Sequence, residues 1–284
     1  MCETSGLLLL DKKPGITSFA ALNEVKRIPG TGKVGHTGTL DKFAGGLLPV
    51  LAGRAVKLAP WFSCLDKEYE GTVRFGVETD TLDPGGVPVH HAEIPSLDAV
   101  EKALPLFTGA ILQAPPAYSA VHVGGKRASE LARAGKAPEM KRRPVFIYSL
   151  ELTSWEPPLA GIRLSCSSGT YVRSLARDLA LAAGSRGHLA ALTRTRVAGF
   201  HLSDAGGLFF RPIDITVIEA LGLPWFEINS HDVQKIIHGQ PLEPVLEGAA
   251  PHGTGDSAAV FSDASFIAMV EKRDGIWKYG YVYR

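Results

Sequence analysis

The chain has 284 residues, 45% of them hydrophobic and 21% charged, the balance of a folded globular protein and not of a disordered one. That length accommodates one large domain plus a small one, and no apolar run approaches the roughly 20 residues of a membrane-spanning helix. The net charge is only +1, but it is unevenly spread: residues 1–60 hold 8 Lys and Arg against 4 Asp and Glu, and residues 101–210 hold 14 against 7. Residues 61–100 hold 2 against 8, and residues 211–284 hold 6 against 10. Two basic blocks meeting on one face would attract a phosphate backbone through counterion release, whereas dispersed charge would merely solvate the surface. The three cysteines, Cys2, Cys64 and Cys166, show no zinc-ligand spacing and suit a reducing compartment. Met1 to Leu10 lacks the basic start and cleavage site of a secretory signal, so a cytoplasmic location is expected.

Gly6 to Asp11 reads as a short buried strand, closed by the turn Lys12-Lys13-Pro14-Gly15. Thr17 or Ser18 then caps a helix with Phe19, Leu22 and Val25 on its apolar side. Residues 29–46 hold six glycines and predict a long irregular loop. Arg54 to Leu65 reads as helical. Asp66 to Val77 alternates, with Tyr69, Gly71, Val73, Phe75 and Val77 on one face of a strand. Leu97 to Phe107 is amphipathic and helical, and residues 108–143, ending in Lys141-Arg142-Arg143, predict a basic mobile arm. Val145 to Ser154 and Gly161 to Ser167 read as strands, the second leading into a helix over 171–183. Beyond Leu223 the pattern changes to short strand-like runs at Ala258 to Phe261, Phe266 to Val270 and Trp277 to Tyr283, with one helix near His231 to His238. A β-rich appendage of barrel or sandwich type is expected there.

The segment of most chemical interest is the loop containing Asp41, a single carboxylate among glycines with His36, Thr37 and Thr39 beside it. Backbone that lets a ligand approach closely, next to one carboxylate, suits a nucleophile or a metal ligand. No second hard ligand lies within ten residues, which disfavours a metal, and no Gly-Lys-Ser/Thr triplet closes a phosphate loop. A solvated aspartate in a surface turn is the competing reading.

Gly35-His36-Thr37-Gly38-Thr39-Leu40-Asp41 resembles the catalytic motif of the bacterial tRNA pseudouridine-55 synthase family. Further segments resemble that family in order: Leu10-Asp11-Lys12-Lys13-Pro14-Gly15-Ile16-Thr17-Ser18, Asp66-Lys67-Glu68-Tyr69, and Gly76-Val77-Glu78-Thr79-Asp80-Thr81-Leu82-Asp83. Pro115-Pro116-Ala117-Tyr118-Ser119-Ala120-Val121 with Lys126-Arg127 resembles the start of its thumb loop, and Ser168-Gly169-Thr170-Tyr171-Val172-Arg173-Ser174-Leu175 resembles its third motif. The resemblance covers about residues 6–205. It implies an α+β pseudouridine synthase fold with a mixed, largely antiparallel central sheet flanked by helices and loops. It also implies a catalytic domain over 1–223 with a thumb-like insertion at 118–143, and a small β-rich PUA-like domain over 224–284.

The implied reaction converts uridine 55 in the T-loop of tRNA to pseudouridine: the N1–C1′ bond breaks, the uracil rotates, and C5 bonds to C1′. Asp41 is the implied nucleophile, at C1′ or at C6, with no cofactor and no metal. Tyr69 is implied to stack on the flipped base and take part in proton transfer at C5, and Arg173 to pair with Asp41. His36 is implied to enter the RNA loop. Tyr171 and Leu192 match the pocket wall and floor, and Leu192 is read as a helix residue. Lys12 and Asp83 match positions near the substrate, with surface roles as the competing reading. Lys126, Arg127, Arg142 and Arg143 are candidate RNA contacts. The implied partner is tRNA, through its T-loop and acceptor arm, bound by a monomer that needs no protein partner. Two departures stand out: Lys42 follows Asp41 where the family usually has proline, and Ser129 stands where it commonly has tyrosine. Two alternatives remain open, a guide-RNA-dependent synthase of a ribonucleoprotein and a tRNA-binding folding factor without turnover.

Overall fold

The first strand, Gly6–Lys12, carries four consecutive leucines, and such a run suits a strand covered on both faces. It pairs antiparallel with Gly45–Ala52, every residue of which is buried. Because successive side chains alternate across a sheet, the two strands feed two separate cores. Leu7, Leu9, Leu47 and Leu51 point to one side; Leu8, Leu10, Leu48 and Val50 point to the other. The second set packs under the helix Ser18–Val25, which Thr17 caps by accepting a hydrogen bond from the Ala20 N–H at 3.1 Å. Phe19 does not join this core and is 68% exposed; Ala21 takes the inward place with Leu22 and Val25.

This computed structural model describes residues 4–136, 138–247 and 249–283, so Cys2 lies outside the described residues. The main sheet runs, edge to edge, Gly6–Lys12, Gly45–Ala52, Gly187–Val197, Lys67–Phe75, Leu159–Cys166, Arg143–Glu156 and Gly109–Gln113. Val34–His36 and Phe200–His201 pair at its side, making nine strands. All pairings are antiparallel except that of Gly187–Val197 with Gly45–Ala52, so the sheet is mixed and largely antiparallel. On its inner face Tyr69, Val73, Phe75, Leu164 and Leu189 form a third core with the helix Val172–Ala182.

Several elements differ from the sequence reading. The glycine-rich stretch 29–46 is not wholly irregular, because Val34–His36 pairs with the neighbouring apolar strand, His36 opposite Val50. The stretch 108–143 is not an arm from its start: Gly109–Gln113 is an edge strand against Arg143–Glu156. The two long helical segments each divide. Gly53–Leu58 is a 3-10 turn before the helix Ala59–Ser63, and Leu97–Ala103 tightens into a 3-10 turn over Leu104–Phe107. Pro60 and Pro105 sit at the junctions, where the missing N–H interrupts the helical ladder.

The C-terminal strands form a second, four-stranded sheet in the order Trp225–Glu227, Ser257–Ser262, Ser265–Arg273, Ile276–Val282. One face, with Ala258, Val260, Ala268 and Val270, closes on Ile236, Val245 and Leu246. The other face sends Ala259, Phe261 and Met269 into the core that holds Leu7, Leu51 and Trp61. Among the described residues no helix is long and apolar enough to cross a membrane.

Candidate active site

The Asp41 loop is held from both sides. The Ser18 hydroxyl donates to the Leu40 carbonyl at 3.0 Å and accepts from the Leu40 N–H at 2.8 Å. The Lys12 ammonium, 1% exposed, donates to the Ala44 carbonyl at 2.5 Å. The Gly15 N–H bonds the Lys42 carbonyl at 2.7 Å and the Ala44 N–H bonds that of Asp41 at 3.1 Å. Gly46 is required here: its φ is +100°, and a Cβ on it would overlap the backbone of Arg194 on the adjacent strand.

Asp41 faces a cavity of about 500 Å³ whose wall includes Tyr69, Tyr118, Tyr171, Arg173, Leu192 and Arg194. Its carboxylate meets Arg173, the second residue of the helix Val172–Ala182 and only 5% exposed. Nη2 of Arg173 donates to Asp41 Oδ1 at 3.0 Å, while Nε lies 2.8 Å from Oδ2 as an ion-pair contact without hydrogen-bond alignment. The same guanidinium donates to the carbonyls of Thr81 at 2.8 Å and Tyr118 at 3.0 Å, and lies 3.5 Å from Asp83. One side chain therefore ties four chain segments together at the cavity. Burial raises the Asp41 carboxyl above its ordinary pKa; Arg173 opposes this, Asp83 adds to it and Lys12 opposes it.

Tyr69 is 7% exposed on the inner face of Lys67–Phe75, opposite Leu164 on one neighbour and Arg194 on the other. Burial raises its phenol, and the Arg194 guanidinium favours the phenolate. Tyr171 is fixed through its backbone by Gln113, whose amide accepts from the Tyr171 N–H at 2.8 Å and donates to its carbonyl at 3.1 Å. Lys67 lies two residues before Tyr69 on the same face, 8% exposed, its ammonium donating to the Leu65 and Ser63 carbonyls. Burial, helped by Arg194, lowers Lys67 to about 8. Among the described residues no three His, Cys, Asp or Glu side chains converge as metal ligands would.

A carboxylate, the arginine that fixes it and a tyrosine thus face one cavity, and the chain is similar in sequence to known proteins. The family model for TruB family pseudouridylate synthases (N-terminal domain) matches residues 26–172. The tRNA pseudouridine synthase B of Borreliella burgdorferi (strain ZS7) is 45% identical over 204 residues, covering 71% of this chain and 72% of that protein. That of Aromatoleum aromaticum (strain DSM 19018 / LMG 30748 / EbN1) is 39% identical over 288 residues, covering 94% and 88%. The chain belongs to the TruB family of pseudouridine synthases. It is thus an isomerase fold with an enzymatic pedigree. A chain in the crystal structure of a Cbf5–Nop10–Gar1 complex shares its architecture, with a TM-score of 0.71 at 23% identity, covering 98% of this chain and 84% of that one.

In this TruB-family chain the structure brings Asp41, Tyr69, Arg173, Tyr171 and Leu192 around one cavity. Leu192, 7% exposed, lies on the strand Gly187–Val197 opposite Gly71, not on a helix. Lys12 is buried and Asp83 mostly so, and both act on the charge of Asp41, so neither is a surface residue. His36 sits on its short strand outside the cavity wall; its Nδ1 is buried without a partner, and burial lowers its pKa. Arg127 reaches the wall together with Ser129 and Arg133, while Lys126, Arg142 and Arg143 are exposed. Arg143 lies close enough to Tyr171 to favour its phenolate. Lys42 is exposed and is not among the charges acting on Asp41.

Sequence reasoning missed Arg194, Lys67 and Arg133. Strand periodicity could have found Lys67, two positions before Tyr69. Arg194 stands in Thr193-Arg194-Thr195-Arg196, which reads as an ordinary polar strand surface.

Proposed function

We propose that this protein converts uridine 55 in the T-loop of tRNA to pseudouridine, with Asp41 as nucleophile. The observation that carries this reading is the Asp41 carboxylate, fixed by Arg173 at the mouth of a cavity that Tyr69 and Leu192 line. A base in a folded tRNA loop reaches such a site only when flipped out of its stack, and the Tyr69 ring then supplies the face it leaves behind. Asp41 attacks C1′ or adds to C6, the freed uracil turns, C5 bonds to C1′, and C5 yields its proton to Tyr69. The relatives' shared name, tRNA pseudouridine synthase B, supports tRNA as the substrate. His36, Lys126, Arg127, Arg142 and Arg143 are assigned to RNA contact, Lys12 and Asp83 to setting the charge around Asp41. Residues 1–223 form the catalytic domain, with 118–143 as its thumb. Residues 224–284 act as a PUA-like module toward the acceptor arm. The protein acts as a cytoplasmic monomer without guide RNA, ATP or metal.

Tritium release from tRNA carrying 5-tritiated uridine tests this directly. Purified protein alone is expected to release label from one T-loop position, and no release at stoichiometric enzyme sinks the reading. Asp41→Asn is expected to abolish turnover while tRNA binding persists; near-normal turnover would remove Asp41 from the nucleophile's role.

A further inference from the structure

Arg194 is the largest side chain buried to below 2% exposure in the described protein, at 1%. Its Nε donates to the Leu47 carbonyl at 2.7 Å and its Nη2 to the Gly38 carbonyl at 3.1 Å. Among the described residues no carboxylate forms an ion pair with it. The acidic groups of the cavity are already engaged, since Arg173 takes both Asp41 and Asp83. The ionisable groups around Arg194 are Lys12, His36, Lys67 and Tyr69. Burial lowers the pKa of each of the first three, and the charge of Arg194 lowers it further. None of those three can become an anion. A buried charge without a counter-ion is strongly unfavourable, and an aliphatic side chain would fill the space with less penalty.

Tyr69 is the exception. It is the register partner of Arg194 on the neighbouring strand, both line the cavity, and its phenol is the group beside Arg194 that can carry negative charge. Burial is the largest influence on the Tyr69 phenol and raises it; Cys166, from the strand on its far side, and Asp41, across the cavity, oppose a phenolate as well. The stabilising charge therefore comes from Arg194.

We propose that Arg194 is a positioning residue, the built-in counter-ion of a Tyr69 phenolate that takes the C5 proton of the rearranged uracil. This rests on the pseudouridine synthase reading given above. In the step, the C5–H bond breaks and its electron pair restores the C5–C6 double bond, displacing the C6–N1 π pair onto N1 or, after addition at C6, the C6–O pair back onto Asp41, and the proton passes to the phenolate oxygen. The product carries one proton more at N1 and one fewer at C5, so relay from the phenol to N1, directly or through water, regenerates the phenolate with no net proton change. Arg194 makes no bond to the substrate. Its two carbonyl anchors come from the strand Gly45–Ala52 and from the Asp41 loop, so they hold its charge in register with both reacting side chains.

The test is single-turnover isomerisation of tRNA bearing 5-protio or 5-deutero uridine, with tRNA affinity measured in parallel. Arg194→Gln is expected to slow isomerisation about 100-fold, the usual effect of removing one preorganised charge-stabilising group. It is also expected to enlarge the 5-deuterium isotope effect and leave tRNA affinity unchanged. Arg194→Lys, which keeps the charge, is expected to recover part of the rate with an isotope effect still above that of wild type. A slowed Arg194→Gln with a wild-type isotope effect, or a rate loss matched by lost tRNA affinity, overturns the proposal. Should Arg194→Gln fail to fold, Arg194→Lys decides alone: a wild-type rate and isotope effect overturns it, an enlarged effect supports it. A wild-type enzyme without turnover overturns instead the reading on which the proposal rests.

Discussion

Around Tyr69 the residues are chosen for charge as much as for packing. Lys67 is the clearest case, because burial holds its amine at about 8, against 10.5 for a free lysine. Between those values the unfolded chain binds the proton that the folded chain has released, so stability rises with pH as Lys67 titrates. Cys166, opposite Lys67 on the next strand, is pushed up to about 11 by burial from an ordinary 9.0. Its sign is reversed: the unfolded thiol ionises first, and stability falls above pH 9. Between pH 8 and 9 the Lys67 titration is expected to contribute about 1 kcal/mol of added stability, partly offset as the unfolded Cys166 thiol begins to ionise toward pH 9. Urea midpoints at the two pH values would show a change with pH in wild type that is more positive than in Lys67→Met by about that amount. A Lys67→Met variant with the wild-type change would assign it to another group. Strand periodicity puts Lys67 on the face of Tyr69, but local sequence shows neither its burial nor its lowered amine, since a lysine beginning an alternating strand reads equally well as solvated.

At the scale of elements, two loops and a helix start converge on a central strand. The Asp41 loop reaches the cavity because Val34–His36 and Gly45–Ala52 pair on either side of it, which confines its ends within one sheet. The third motif brings Arg173 there because the helix begins at Val172, next to the backbone that Gln113 clamps. The 118–143 segment is built differently. After the short hairpin His122–Val123 with Lys126–Arg127 and the helix Ala128–Arg133, regular structure among the described residues resumes at Arg143. Arg142 and Arg143 are exposed there and free to meet phosphate. Replacing both by alanine is expected to weaken tRNA binding and flatten the slope of log affinity against log salt by about 1 to 2 units, near 0.9 per phosphate contact. Filter binding across a salt series measures this, and an unchanged slope excludes both residues as phosphate contacts.

Across the whole molecule, the C-terminal sheet is not a separate appendage in its packing. Phe261 is fully buried in the core that Leu7, Trp61 and Val217 share, the Ser5 hydroxyl lies 2.7 Å from that of Tyr283, and the Tyr281 hydroxyl donates to the Arg54 carbonyl at 3.2 Å. Phe261→Ala is expected to destabilise the protein by about 3 to 5 kcal/mol. Because Phe261 and Met269 share one core with Leu7 and Leu51 of the main sheet, fluorescence and circular dichroism should lose structure in one coincident transition. Two separated transitions, with only one shifted by the variant, would show the sheets to be energetically independent.

The ordered motifs alone pointed to the family and the α+β class, and they singled out Asp41, Tyr69 and Arg173, which line one cavity, because those features lie in short contiguous segments. Strand periodicity also located the change to short strands near residue 224, which follows from turn spacing. Tertiary structure decided the rest. Arg194 and Tyr69 are 125 positions apart, and only the register between two strands places one guanidinium against one phenol. The pairing that places Gly109–Gln113 at the sheet edge, the inward turn of Lys12 and the shared core under Phe261 likewise depend on which surfaces meet. Burial, the largest influence on Asp41, Tyr69 and Lys67, is a property of those meetings and has no signature in a local run of residues.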